Sequence, residues 1–360
     1  MKLLVGTAKG LIVYQILHKE APMELGIHFL GYAVNTVFVD ERHDRWWVGV
    51  AHRHWGQKLH YSDDQGAHWS EASMPSYRMA TLLSGEKAKL RQIWSIQQGG
   101  NDQPNRLWIG TEPGGLFESK DRGLSFELNQ SLWNHPSRKK EGQWFGAGSD
   151  FPFIHSIVVN PVDSNHIYIA VSCAGVFESK DGGLNWIAKN NGLLATYLPN
   201  PKVEVGHDPH QLLMHSKFPD VLWQQNHCGI FFSKNGGDLW SEVFLTEGVS
   251  SYGFSIAIDE EDPAKCWVIP VESDQRRIAP NLRLEVFETC DFGATWNSES
   301  KGLPTATCFD IVLRKSFVRT NKIMVFGTTN GNIYYSLNEK NRYWQAFNTN
   351  LTKVNSVILY

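Results

Sequence analysis

The feature that most limits what this chain can become is a motif that returns at a nearly constant interval. Residues Ser179 to Trp186, SKDGGLNW, combine a hydroxyl, a carboxylate, glycine and an aromatic ring. The combination recurs as SDDQGAHW from Ser62, SKDRGLSF from Ser119, SKNGGDLW from Ser233 and TCDFGATW from Thr289. A looser copy with one extra residue, SLNEKNRYW, runs from Ser336 to Trp344. Successive copies start 57, 60, 54, 56 and 47 residues apart. A fixed period of this length marks a repeat architecture, in which each unit buries its apolar faces against its neighbours.

Each repeat reads as four short strands, because runs rich in Val, Ile, Trp, Tyr and Phe are punctuated by Gly, Asn, Asp and Pro. Around the SKDGGLNW copy these are FIHSIVVN, HIYIAVS, GVFESK and NWIAK. Innermost strands are expected to begin at Val34, Ile93, Ile154, Pro209, Gly253 and Cys308. The sequence opens on a second-strand pattern, KLLVGT, and closes on an inner-strand pattern, VNSVILY from Val354, so its two ends complete one unit. The expected fold is therefore all-β, one seven-bladed β-propeller over residues 1–360. Its first blade is shared between 1–31 and 354–360, the last strand closing the ring and leaving only short, protected edges.

The pattern S-x-D-x-G-x-T-W resembles the Asp-box, or BNR repeat, of sialidases, sortilin-type receptors, xyloglucan-degrading enzymes and a photosystem assembly factor. More closely, LWIGTEPGGLFESKDRG, SLWNHPSR, GHDPHQL and QQNHCGIFFS resemble a group of bacterial BNR-repeat proteins described as glycosyl hydrolases or exo-sialidase-like proteins. The resemblance spans nearly the whole chain. It implies the propeller with Asp-box turns, and it points toward glycoside hydrolysis without supplying an assigned reaction.

The box itself is expected to build rather than catalyse. At the tight turn between third and fourth strands, Asp accepts backbone N–H bonds, Gly allows a left-handed step and the aromatic ring packs inward. The opposite face receives the second-to-third-strand loops and the long connections 131–153, 190–210 and 272–283, and insertions gathered on one face mark the working side.

Aligning the inner strands puts Asn35, Trp94, His155, His210, Phe254, Phe309 and Asn355 at one equivalent position beside that mouth. The loops add Glu112, Ser172, Asn226 and Thr329 in one slot, then Pro113, Cys173, His227 and Asn330 in the next. Three histidines, His155, His210 and His227, with His207 close by in HDPH, suit a divalent metal such as zinc in the central channel. Without metal they serve as acid, base or substrate donors. Glycosidase chemistry needs two carboxylates, for which Glu112 and Glu272 are the candidates, with Asp310 and Asp208 behind them. Substrate contacts are expected from His155, His210, His227, Asn226, Trp94 and Asp310. Trp55, Trp133 and Trp144 also sit beside working-face loops, as do Cys173 and Cys228. The Arg-Ile-Pro motif of sialidases is missing, and no motif selects three of Arg53, Arg138, Arg276 and Arg277.

Composition trims the remaining classes. A formal net charge of −3 without a basic tract argues against nucleic acid. No apolar run approaches the ~20 residues of a membrane span. Five cysteines with no C-x-x-C pair suit free thiols, and the cytoplasm is the expected location. The leading expectation is a small-molecule or carbohydrate-binding propeller with sialidase-like hydrolase activity. The alternatives are a metal-dependent hydrolase or lyase with a His-lined site, and a non-enzymatic scaffold for a protein partner.

Overall fold

The computed structural model describes residues 1–17, 21–140, 142–320, 322–337 and 342–360, so part of the sixth box, Ser336–Trp344, lies outside the described residues. Among these residues the chain forms five four-stranded antiparallel sheets and one eight-stranded sheet. In the sheet that carries SKDGGLNW the strands are Ile154–Asn160, Asp163–Val171, Gly175–Ser179 and Ile187–Ala188, in simple up-and-down order. The eight-stranded sheet contains two such runs. Its inner strands, Val312–Thr320 and Val354–Leu359, meet through one parallel bridge, Lys315 to Ser356. Val354–Leu359 then pairs antiparallel with Lys2–Thr7.

The inner strands touch in cyclic order, from Ala33–Asp40 through Gln92–Gln98, Ile154–Asn160, Pro209–Met214, Gly253–Ile258 and Val312–Thr320 to Val354–Leu359, which returns to Ala33–Asp40. Second strands such as Leu107–Glu112 and Cys266–Pro270 are buried along their whole length, because each sheet is covered on both faces by its neighbours. Trp46, Trp47, Trp108, Trp223 and Trp267 from these strands are among the largest fully buried side chains. Emptying any one of those positions to alanine would cost about 3–5 kcal/mol.

The repeated turns close on themselves. Ser179 Oγ donates to Asp181 Oδ1 at 2.9 Å and accepts from Gly183 N at 2.8 Å, while Asn185 N donates to Asp181 Oδ1 at 2.9 Å. Ser62, Ser119, Ser233 and Thr289 repeat the pattern with Asp64, Asp121, Asn235 and Asp291. Gly183 has φ +91, a conformation costly for any residue with a Cβ. The turn polar groups are thus consumed in holding the turn.

Pairing slips at the start of each inner strand. The register skips Asn35 between Val34 and Thr36, Trp94 between Ile93 and Ser95, His155 between Ile154 and Ser156, and His210 between Pro209 and Gln211. Phe254 lies in the same kind of gap between Gly253 and Ile256, and Asn355 between the partners of Thr7 and Gly6. A bulge residue has no partner across the ladder and is re-aimed, here toward the channel.

One inner strand departs from expectation. It starts at Val312 rather than Cys308, and Phe309, placed by sequence at the channel mouth, is 55% exposed outside it. The cause is local. The Asp310 carboxylate accepts from Thr328 Oγ1 at 2.8 Å and Asn332 Nδ2 at 2.7 Å, anchoring this segment to the neighbouring turn before the strand begins. The following register gap runs from Val312 to Phe317, a wide bulge that delivers Leu313, Arg314 and Lys315 to the channel instead.

Candidate functional site

A cavity of about 400 Å³ occupies the channel mouth on the face opposite the repeated turns. Bulge residues Asn35, Trp94, His155, His210, Phe254 and Asn355 line it. Loops contribute Asp208, His227, Tyr252, Asp274, Arg277 and Lys353. Its size falls within the range of small-molecule sites.

Asp208 is the fixed point. It is buried, and its Oδ1 accepts from Ser172 Oγ at 2.8 Å and Cys173 N at 3.2 Å. Cys173 adopts φ 57, a left-handed conformation uncommon for a residue with a side chain, and this aims its N–H at the carboxylate. The second oxygen, Oδ2, lies 3.4 Å from His210 Nε2 and 3.5 Å from His227 Nδ1. Burial pushes the Asp208 carboxyl up. Hydrogen bonding with His210 and His227, with the Arg314 charge, more than offsets this and holds it well below the usual carboxylate range.

His210 Nδ1 stands 2.6 Å from the Gly253 carbonyl, which only accepts, so this nitrogen carries the proton. Burial lowers the His210 pKa, with Asp208 opposing. His227 sits between two carboxylates, its Nε2 3.7 Å from Asp274 Oδ2, and packs edge-on against Tyr197 and Tyr252. His155 is 1% exposed, and its Nε2 has no hydrogen-bond partner among the described residues. Burial first, and then the Arg314 guanidinium, drive its pKa well below the ordinary value.

The rest of the wall is cationic and aromatic. Arg314 lies 5.9 Å from the Trp94 ring, 5.4 Å from Phe153 and 5.3 Å from Phe254, and its Nε lacks a partner among the described residues. Arg277, Lys315 and Lys353 join it, so the cavity has four permanent or near-permanent cations against the carboxylates Asp208 and Asp274. Burial lowers the Lys315 pKa to about 8, and burial with the Arg277 charge lowers that of Lys353. The Tyr252 hydroxyl is buried without a partner, and burial raises its pKa to about 12, so it remains a donor.

The structure brings Trp94, His155, Asp208, His210, His227 and Arg277 to the cavity, and it does not bring in Glu112, Glu272, Asn226 or Asp310. Glu112 accepts from Trp94 Nε1 at 3.2 Å and from Ser149 Oγ, which places its carboxylate behind the Trp94 ring. Glu272 is paired with Arg276 at 2.7 Å. Neither glutamate lines the cavity, so the pair does not flank a common spot there. Asn226 is consumed by Gln224 Oε1 and Cys228 N, and Asp310 by its anchoring bonds. His207 Nε2 donates locally to Val203 O, 2.7 Å away, and stays outside the cavity. Of the tryptophans near working-face loops, Trp94 alone lines the cavity among the described residues; Trp133 and Trp144 flank Arg138 instead. The Cys173 thiol is pushed upward by burial and the Asp208 charge, which suits a protonated wall residue rather than a nucleophile.

Sequence reasoning missed Arg314, Lys315, Tyr252, Asp274 and Lys353. Arg314 was hidden by the displaced strand start. The others had no repeat-wide pattern to select them.

No family model matches the sequence, and no curated protein does. Solved structures do. A GH74 xyloglucanase from Xanthomonas campestris superposes with TM-score 0.66 at 14% identity, covering 96% of this chain and 52% of its own, so the chain spans about half of that protein. The periplasmic gluconolactonase of Pseudomonas aeruginosa matches at TM-score 0.60 and 11% identity, over 99% of this chain and 98% of its own. YCF48 from Cyanidioschyzon merolae matches at 0.55 and 12%, over 90% and 87%. The chain is a β-propeller. At these identities the likeness carries the fold and leaves the chemistry to the site. Among the described residues, no helix is long and apolar enough to cross a membrane.

Proposed function

We propose that residues 1–360 form a single seven-bladed propeller, blade one being shared between 1–31 and 354–360, whose central pocket takes a small anionic molecule of carbohydrate type. The observation that carries this reading is the surplus of cations around the cavity, above all Arg314, held among aromatic rings with an Nε that has no partner among the described residues. A guanidinium in such a place attracts a carboxylate or phosphate strongly, because the exchange with water is already reduced. Trp94 and Phe254 supply apolar faces for a ring, and Asn35, Gln92 and Asn355 supply neutral polar contacts. Among the structural neighbours, the names xyloglucanase and gluconolactonase both belong to carbohydrate chemistry.

Asp208, His210 and His227 form the reactive end of this pocket and support a hydrolytic reaction there. A glycosidase pair made of Glu112 and Glu272 is not supported, since both carboxylates are engaged outside the cavity. Five free cysteines accord with a cytoplasmic setting, which belongs to the same proposal.

Calorimetric titration with D-glucuronate and D-glucose tests the charge requirement. Glucuronate is expected to bind at least about 10-fold more tightly than glucose, and Arg314→Met to weaken it about 10- to 100-fold through loss of a charge-assisted hydrogen bond. Equal binding of the two sugars, or an Arg314→Met variant that binds glucuronate like the parent, would remove the reading.

A further inference from the structure

The spacing of Asp208, His210 and His227 is wrong for simple ion pairing. Charge-assisted hydrogen bonds usually close to about 2.7–2.9 Å. Here His210 Nε2 and His227 Nδ1 stop 3.4 and 3.5 Å from the same oxygen, Asp208 Oδ2, and the three ligand atoms lie within 4.8 Å of one another. His210 Nδ1 is bonded to the Gly253 carbonyl, which leaves Nε2 turned to the carboxylate across a gap that a cation held by both would fill.

We propose that Asp208 Oδ2, His210 Nε2 and His227 Nδ1 form a site for a divalent cation of zinc type, with an open coordination position facing the central pocket.

A tetrahedron with arms of about 2.1 Å has edges of about 3.4 Å. Two of the three edges here, 3.4 and 3.5 Å, are of that size, and the three ligand atoms lie within 4.8 Å of one another. Two imidazoles and one carboxylate are a ligand set that zinc accepts, leaving a fourth position for water or substrate.

The surroundings are those of ligands held in place from behind. Metal-bound histidines usually donate their second ring N–H to a carbonyl or carboxylate. His210 does so to Gly253 O, and the Asp274 carboxylate stands 3.7 Å from His227 Nε2, near enough for electrostatic support and beyond hydrogen-bond range. Asp208 keeps Oδ2 free because Ser172 Oγ and Cys173 N take Oδ1. His155, which also lines this cavity and is 1% exposed, has an Nε2 with no hydrogen-bond partner among the described residues. The nearby cations Arg314 and Arg277 then favour an anion as the fourth ligand, which ties this site to the pocket without depending on it.

Chelator-stripped protein titrated with zinc, and separately loaded with cobalt(II), tests the site. One equivalent of zinc and the intense visible bands of four-coordinate cobalt are expected. His227→Ala should weaken zinc binding by about 100-fold or more, and Asp274→Asn, which removes only the carboxylate behind His227, by about 10- to 100-fold. Asp274 is exposed, so this second variant tests the proposal even if His227→Ala fails to fold. Zinc uptake no greater in the parent than in both variants, or a weak six-coordinate cobalt spectrum, overturns it. Glucuronate binding by zinc-free protein is measured separately, so failure of the metal site is distinguishable from failure of the anion pocket.

Discussion

Ser179 and Asp208 are both buried polar residues, and their partners separate their roles. The Ser179 hydroxyl is used within its own turn, donating to Asp181 and accepting from Gly183. Ser179→Ala should therefore lower unfolding free energy by about 1–2 kcal/mol in a urea titration and leave glucuronate binding unchanged; a loss of binding instead would give the turn a functional role. Asp208 spends one oxygen on the frame and keeps the other for the cavity. Strand alignment gathered residues that line the cavity: Trp94, His155 and His210 share a strand position, and His227 shares a loop position with Cys173. Glu112 instead lies outside the cavity, its carboxylate taken by the indole of the bulge residue Trp94 and by Ser149. Such contacts come from distant segments and leave no trace in local spacing.

At the scale of the sheet, strands were legible because apolar runs alternate with Gly, Asn and Asp, and boundaries were less so. The Asp310 anchor ahead of Val312–Thr320 involves Thr328 and Asn332, and that is why Arg314 could not be aligned with His155 and His210. Within the sheet of Ile154–Ala188, Glu178 on the third strand is 1% exposed and accepts from His166 at 2.7 Å, Tyr168 at 2.7 Å and Lys189 at 3.0 Å. Burial raises its pKa, and these partners outweigh that and bring it to about 2. A carboxylate lowered on folding adds stability above its unfolded pKa, near 4.5, and loses it as pH falls toward 2. Glu178→Gln should cost about 3 kcal/mol near neutral pH, with the gap to the parent shrinking below pH 4.5. Chemical unfolding at pH 6 and pH 3, both inside the comparison, reads this directly at about those two values; a gap that widens in acid would contradict it.

Across the whole molecule, the repeat interval pointed to the β-propeller, because a period of four short strands has few ways to bury both faces of every sheet. Burial on this scale also sets the acid response. His28, His60, His135, His155, His207, His210 and His215 all have pKa values lowered by burial. The unfolded chain protonates these rings near 6.5 while the folded one resists, so unfolding binds protons and stability falls as pH drops below that value. The melting temperature is expected to be lower at about pH 5.5 than at about pH 7.5. An unchanged or higher value in the more acid buffer would show that these rings charge without penalty.

The slipped pairing at the head of each inner strand has a consequence for how such a molecule can change. A side chain at Asn35, Trp94, His155, His210 or Asn355 has no opposite number in the ladder, so replacing it disturbs no register and empties no sheet interior. Each works like a single interchangeable letter on a wheel whose rim stays put. Chains that share this frame can spell different ligands by changing letters one at a time, and the ring of bulge residues is the place to read what any one of them recognises.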